Sequence, residues 1–234
     1  MSEKRVIIAI DGPAGSGKST LAKRVAERLG FIYINTGAMY RAVALWALQL
    51  GVGLTDMHRL EQLAKEAGIE LTRDGRVLLN GEDVTDAIRE PHVSDAASQV
   101  SAVPGVRRAL LGVQRGLAEQ NSVVMEGRDI GSVVFPDAQV KIFLDADPAE
   151  RARRRALELQ DDAIAVEGDL RQRDERDRGR AEAPLVQAPD AELVDTTGLS
   201  PEEVEEVILR IVRARTSNGK GAKRHDEQGA VRAD

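Results

Sequence analysis

The chain has 234 residues, of which 42% are hydrophobic and 31% charged, with a formal net charge of -6, the balance of a water-soluble globular protein long enough for one α/β domain with a small insertion. The absence of cysteine excludes disulfides, thiolate nucleophiles and cysteine-based zinc sites, and His58, His92 and His225 are too scattered for a histidine metal cluster. The negative charge argues against a nonspecific nucleic-acid partner, and no apolar run approaches the ~20 residues of a bilayer span; with no signal peptide ahead of the first strand, a cytoplasmic protein acting as a monomer on small molecules is expected.

The first strand is the apolar run Val6-Ile7-Ile8-Ala9-Ile10, followed by Gly12-Pro13-Ala14-Gly15-Ser16-Gly17-Lys18-Ser19-Thr20. This is the phosphate-loop pattern G-x-x-x-x-G-K-[ST] in the strand–loop–helix context it requires. Gly12, Gly15 and Gly17 allow the backbone to wrap phosphate oxygens, and the loop N–H groups and helix N-terminus form an anion nest. Lys18 would place a point charge on the β and γ phosphates, and the Ser19 hydroxyl would ligate Mg²⁺. A nucleoside triphosphate with magnesium is the expected ligand; the alternative is a glycine-rich turn with no ligand.

Leu21, Val25 and Leu29 then repeat at helical spacing up to Gly30, Phe31-Ile32-Tyr33-Ile34 reads as a second buried strand, and Thr36-Gly37 opens a helix to about Leu50 in which Trp46 is a core residue. Leu60, Leu63 and Ala64 mark a short helix. Ile69-Glu70-Leu71-Thr72, Asp74-Gly75, Val77-Leu78-Leu79 and Asn80-Gly81 spell two tight hairpins, hence a small three-stranded antiparallel insertion from Ile69 to about Arg89. Helical patterning runs from Pro91 to Glu119 with a break at Pro104-Gly105. Strands at Ser122–Met125, Val140–Leu144 and Ala191–Asp195 alternate with helices from about Pro148, over Asp169 to Arg178, and from the Ser200-Pro201-Glu202-Glu203 start to about Arg213. From Thr216 a disordered tail is expected. The fold class is therefore α/β, a parallel five-stranded sheet flanked by helices, with ligands beyond the carboxyl ends of the strands.

That edge gathers charge. Arg41 follows strand two, Glu126-Gly127-Arg128-Asp129 follows strand three, and Arg151, Arg153, Arg154 and Arg155 crowd the helix after strand four. Arg173, Asp177 and Arg180, spaced i, i+4, i+7, would share one helix face and offer two guanidinium forks around a carboxylate, suited to phosphate and ribose hydroxyls. The competing reading of such a run is a solvated helix surface. A second cationic site beside a phosphate loop favours a phosphotransferase; a kinase for another small acceptor, or a nucleotide-dependent switch gripping a partner, remain the alternatives.

Ile10 to Thr20, Thr36-Gly37-Ala38-Met39-Tyr40-Arg41, Glu126-Gly127-Arg128-Asp129-Ile130-Gly131 and Arg173-Asp174-Glu175-Arg176-Asp177-Arg178-Gly179-Arg180 together resemble the motifs of the bacterial cytidylate kinases, P-loop nucleoside monophosphate kinases. The resemblance implies phosphoryl transfer from ATP to CMP or dCMP with Mg²⁺, and a single kinase domain over 1–215: a core of 3–68 and 90–213, the acceptor-binding insertion at about 69–89, a helical lid at about 151–180, and a tail over 216–234. Carried over by position, Thr36, Arg41 and Arg128 surround the acceptor phosphate. Ser98, Arg107 and Asp129 read the cytosine edge, Arg173 and Asp177 hold the ribose, Arg180 approaches the phosphates, and Arg154 and Arg155 close on ATP. Lys18, Arg128 and Arg180 carry the catalytic charge, with Ser19 as the metal ligand. Asn35 and Glu126 stand where Asp is the commoner residue.

Overall fold

A computed structural model of the protein describes residues 5–72, 74–159 and 162–217. Parallel strands β1 (Ile7–Asp11), β2 (Ile32–Asn35), β6 (Val123–Glu126), β7 (Val140–Asp145) and β8 (Glu192–Asp195) form one sheet in the order β2-β6-β1-β7-β8. The antiparallel strands β3 (Ile69–Leu71), β4 (Val77–Leu79) and β5 (Glu82–Asp83) form the small second sheet.

Side chains alternate across the central sheet. Ile8 and Ile10 of β1 pack with Val124, Ile142 and Leu144 against helices α1 (Lys18–Leu29) and α8 (Pro201–Ser217), while Ala9 faces Ile34, Val123 and Met125 on the other side. Burial on both faces explains why these strands read as continuous apolar runs.

Helices α2 (Thr36–Gln49), α3 (Met57–Glu66), α4 (Pro91–Val100) and α5 (Pro104–Leu117) share one core with Val77 and Leu79 of the small sheet and Val84 just after it, and Trp46 packs against it. The hairpin chemistry is as expected: Asn80 and Gly81 both have positive φ, at 51° and 86°, the geometry of a two-residue type I′ turn. Pro104 opens α5 as its first residue, where its missing N–H costs nothing, so the helical break falls just before it.

Two boundaries differ from expectation. Helix α7 (Ala163–Arg178) starts six residues before Asp169 (169 − 163), because Asp162 caps the N–H groups of Ile164 and Ala165, and Val166 and Leu170 pack against Ala152 and Ala156 of α6 (Pro148–Leu159). Helix α8 continues through Thr216 and Ser217, past the expected end near Arg213; the rest of the expected tail, 218–234, lies outside the described residues. The Ser200–Glu203 box forms at the start of α8, with Ser200 N–H donating to Glu203 Oε2 at 2.8 Å and Glu203 N–H to Ser200 Oγ at 3.3 Å. Among the described residues no helix is long and apolar enough to cross a membrane.

Candidate active site

Because all five strands of the central sheet run parallel, their carboxyl ends meet on one edge. Asn35, Glu126 and Ile10 lie side by side in register there. The loop between β1 and α1 rises from that edge. Gly12 has φ of +149°, and a Cβ on it would lie 2.0 Å from the carbonyl oxygen of Leu144, so only glycine permits the close passage over β7. Gly17, in the left-handed region, is the N-cap of α1. Pro13, Ala14 and Ser16 are buried in the loop, while Ser19 and Thr20 are exposed on the first turn of the helix.

Lys18 is 5% exposed; its Nζ donates to the Pro13 carbonyl at 2.5 Å and to Ser16 Oγ at 3.3 Å. Burial, reinforced by the Arg128 and Arg173 charges, pushes the Lys18 ammonium well below its ordinary pKa. Ser19 Oγ donates to Glu126 Oε2 at 2.9 Å, and Tyr33 Oη donates to Glu126 Oε1 at 2.5 Å. A hydroxyl beside a carboxylate at the loop mouth is the hard oxygen donor set that Mg²⁺ takes. Asn35 caps α2 by accepting from Ala38 N–H at 3.0 Å and donates to Tyr33 Oη at 3.2 Å, so a neutral amide here serves as both acceptor and donor.

Opposite the loop stands a cluster of guanidinium groups. Arg41 on α2, Arg173 within α7 and Arg180 just beyond its end each bury an Nε with no hydrogen-bond partner. Burial lowers the pKa of all three, that of Arg173 to about 9, and nearby Arg128 adds like-charge repulsion in each case. Unsatisfied buried donors on crowded cations are what an anion relieves. Arg128 donates from Nε to Asp177 Oδ2 at 2.9 Å, and Asp177 also pairs with Arg180. Thr36 Oγ1 donates to the Glu126 carbonyl at 2.7 Å, which ties the start of α2 to the end of β6.

Of the three residues expected to read the base, Arg107 and Asp129 meet, while the Ser98 hydroxyl is engaged by Arg176. Arg107 pairs with Asp129, donates to the Ser101 carbonyl at 3.3 Å, and sits over the Tyr40 ring at 5.4 Å. Ser98 Oγ accepts from Arg176 at 2.7 Å. Arg154 is held by Glu150 and by both the hydroxyl and carbonyl of Thr196, and its Nη1 lies 3.9 Å from a Cβ position on Gly17. Arg155 pairs with Glu158 and keeps 27% of its side chain exposed. Lys18, Arg41, Arg128 and Arg173 are thus brought together, Arg155 stands close enough for its charge to help lower the pKa of both Arg41 and Arg173, and Arg154 flanks the loop.

Sequence reasoning assigned no role to Asp11, which sits directly before the loop. Its carboxylate accepts from Ile130 N–H at 2.8 Å and Gly131 N–H at 2.7 Å, so it staples the end of β1 to the turn that presents Arg128 and Asp129. Burial raises its pKa to about 7 against the lowering effect of those two N–H groups. The local signal was a lone acid closing an apolar strand. Arg176 and the buried pair Arg151–Asp174 were also unassigned, being hidden in a run that resembles an exposed charged helix.

The chain matches the family model described as cytidylate kinase over residues 8–214. It is 61% identical over 225 residues to a cytidylate kinase of Solibacter usitatus, covering 93% of this chain and 97% of the relative. It is 52% identical over 219 residues to a cytidylate kinase of Symbiobacterium thermophilum, covering 90% and 97%. Among solved structures, an uncharacterized protein from Eubacterium ventriosum covers 90% of this chain and 99% of its own, with a TM-score of 0.54 and 14% identity, a likeness of fold alone.

Proposed function

The chain belongs to the cytidylate kinase family, and from that premise we propose that it transfers the γ-phosphoryl group of ATP to CMP or dCMP, giving ADP and CDP or dCDP. The observation that carries the reading is the set of buried, unsatisfied guanidinium donors of Arg41, Arg173 and Arg180 gathered with Arg128 across from the phosphate loop. A triphosphate site alone would need one anion cradle; an acceptor phosphate calls for the second.

In this reading an oxygen of the acceptor phosphate, already ionised at neutral pH, forms the new bond to the γ-phosphorus as the bond to the β–γ bridging oxygen breaks. No general base is required. Rate comes from holding the two phosphates in line and neutralising the charge between them. Gly12, Pro13, Ala14, Gly15, Ser16, Gly17, Lys18, Ser19 and Thr20 take the donor triphosphate, flanked by Arg154 and Arg155. Thr36, Arg41 and Arg128 hold the acceptor phosphate, Arg173 and Asp177 the ribose, and Ser98, Arg107 and Asp129 the cytosine edge; Arg180 approaches the phosphates. Ser19 would ligate Mg²⁺ with Glu126 beside it, and the ion would supply positive charge to the phosphate oxygens.

The test is a panel of nucleoside monophosphates offered with ATP and Mg²⁺, read by ADP release. CMP and dCMP are expected to be the best acceptors; a better acceptor of another class overturns the cytidylate assignment.

A further inference from the structure

Arg151, in the first turn of α6, is 6% exposed, and its guanidinium joins three segments. Nε donates to the Ala146 carbonyl just beyond β7 at 3.2 Å; Nη1 donates to the Ala14 carbonyl of the phosphate loop at 3.1 Å and to Asp174 Oδ2 on α7 at 2.6 Å. The loop also rests on this residue through the backbone, since a Cβ on Gly15 would lie 2.8 Å from the Arg151 carbonyl oxygen. Asp174 is 3% exposed, and its second oxygen, Oδ1, is buried with no hydrogen-bond partner. Arg151 is therefore the anchor of that carboxylate. On α7, Asp174 stands between Arg173 and Asp177, two residues of the acceptor site proposed above.

We propose that Arg151 and Asp174 form a positioning strut that couples donor binding to acceptor binding. In a trans peptide the N–H and C=O point in opposite directions. When the Gly15 N–H serves a donor phosphate oxygen, the Ala14 carbonyl of the same peptide points away toward Arg151, and polarisation of the peptide strengthens that acceptor. The chain of contacts then runs from phosphate through the Ala14–Gly15 peptide to Arg151, to Asp174, and along the rigid helix to Arg173 and Asp177. A phosphate on the loop holds Arg151 more tightly, and Arg151 fixes how far along and around its axis α7 can sit. The coupling is reciprocal, so an acceptor held by α7 tightens the donor loop by the same factor. Neither residue touches either substrate in this scheme.

The inference rests on the two-substrate reading, and its test is a ratio, not an activity. The dissociation constant of CMP is measured by calorimetry on the full chain, alone and with saturating ADP and Mg²⁺. For the wild type the constant is expected to fall by about five-fold or more when the donor site is filled, the lower range of typical coupling. In Arg151→Lys, which keeps the charge but loses the planar guanidinium whose Nε holds Ala146 while Nη1 bridges Ala14 and Asp174, the ratio is expected to drop below about two-fold while each ligand still binds alone. Arg151→Met/Asp174→Leu removes both charges, so no unpaired ion is buried; it is expected to melt cooperatively and give a ratio near one. A wild-type ratio near one overturns the strut, as does an undiminished ratio in either variant, or a loss of both separate affinities together with thermal stability, which marks a purely structural pair. If the acceptor panel favours another monophosphate, the cytidylate assignment fails and the same ratio is measured with that acceptor, leaving the strut to stand or fall separately.

Discussion

Arg128 and Asp177, 49 residues apart in the chain, meet through a 2.9 Å hydrogen bond from Nε to Oδ2. The pair joins the turn after β6 to the last turn of α7. Asp177 is 1% exposed; burial pushes its carboxyl up, but Arg128, Arg180 and Arg173 outweigh that and hold it below the ordinary carboxylate pKa. Arg128 helps keep Asp177 ionised, and in the proposed function it also presents its remaining guanidinium edge to the acceptor phosphate.

Replacing it separates them. Arg128→Ala is expected to lower kcat/KM by at least ~100-fold, about 3 kcal/mol of transition-state stabilisation, with the fold retained because Arg180 still pairs with Asp177. Coupled assay of ADP release and a thermal melt check both; near-normal turnover removes Arg128 from the catalytic set.

Asp11 makes stability depend on pH. Its pKa is raised from 3.8 to about 7 in the folded protein, so the folded state binds this proton more tightly than the unfolded chain does. The contribution of Asp11 to stability is full below about pH 3.8 and is lost as pH rises through about 7. Between roughly pH 5.5 and pH 8 the wild type is expected to lose about 2 kcal/mol that Asp11→Asn does not. Chemical denaturation at several pH values, compared between the two proteins, measures the difference; parallel curves would place the titration elsewhere.

Ser19 and Glu126 should report on the metal. Removal of the hydroxyl in Ser19→Ala takes away the proposed Mg²⁺ ligand and leaves Glu126 with Tyr33. The Mg²⁺ concentration giving half-maximal rate is expected to rise about ten-fold or more, the effect of ~1.4 kcal/mol, with a melting temperature close to wild type because the residue is exposed. An unchanged magnesium dependence would clear Ser19 of that role.

Gly127 tests how tightly the acceptor turn is packed. A Cβ there would lie 2.6 Å from Ile130 Cδ1 and 2.8 Å from Thr36 Oγ1, displacing the hydroxyl that bonds Glu126 O and the turn that carries Arg128. Gly127→Ala is expected to destabilise by about 1–3 kcal/mol, as overpacking does, and to raise the KM for CMP more than that for ATP. Equal change in both constants would mean the turn does not belong to the acceptor side.

Local chemistry made much of the molecule legible from the sequence. The apolar strands, the loop glycines, the Asn80-Gly81 hairpin and the Ser200 box announce themselves because each depends on residues within a few positions of one another. The start of α7 at Ala163 was less visible, because the six residues ahead of Asp169 follow a cap at Asp162 but bury a single side chain, Val166, against α6.

What the sequence by itself determined is the phosphate-loop unit: strand, loop, helix and the lysine at its start, all contiguous and dictated by backbone geometry. The partners of its charges were decided by the tertiary structure alone. Asp174 has Arg178 four residues on, a surface spacing in the sequence, yet it is buried against Arg151; Asp177 is claimed by Arg128 and Arg180, and Asp11 by the N–H groups of Ile130 and Gly131. An isolated helix places such carboxylates in water. Burial of an ion requires a partner, and parallel strand ends that converge on one edge bring distant stretches of chain together to supply it, from 23 residues away for Asp174 to 120 for Asp11.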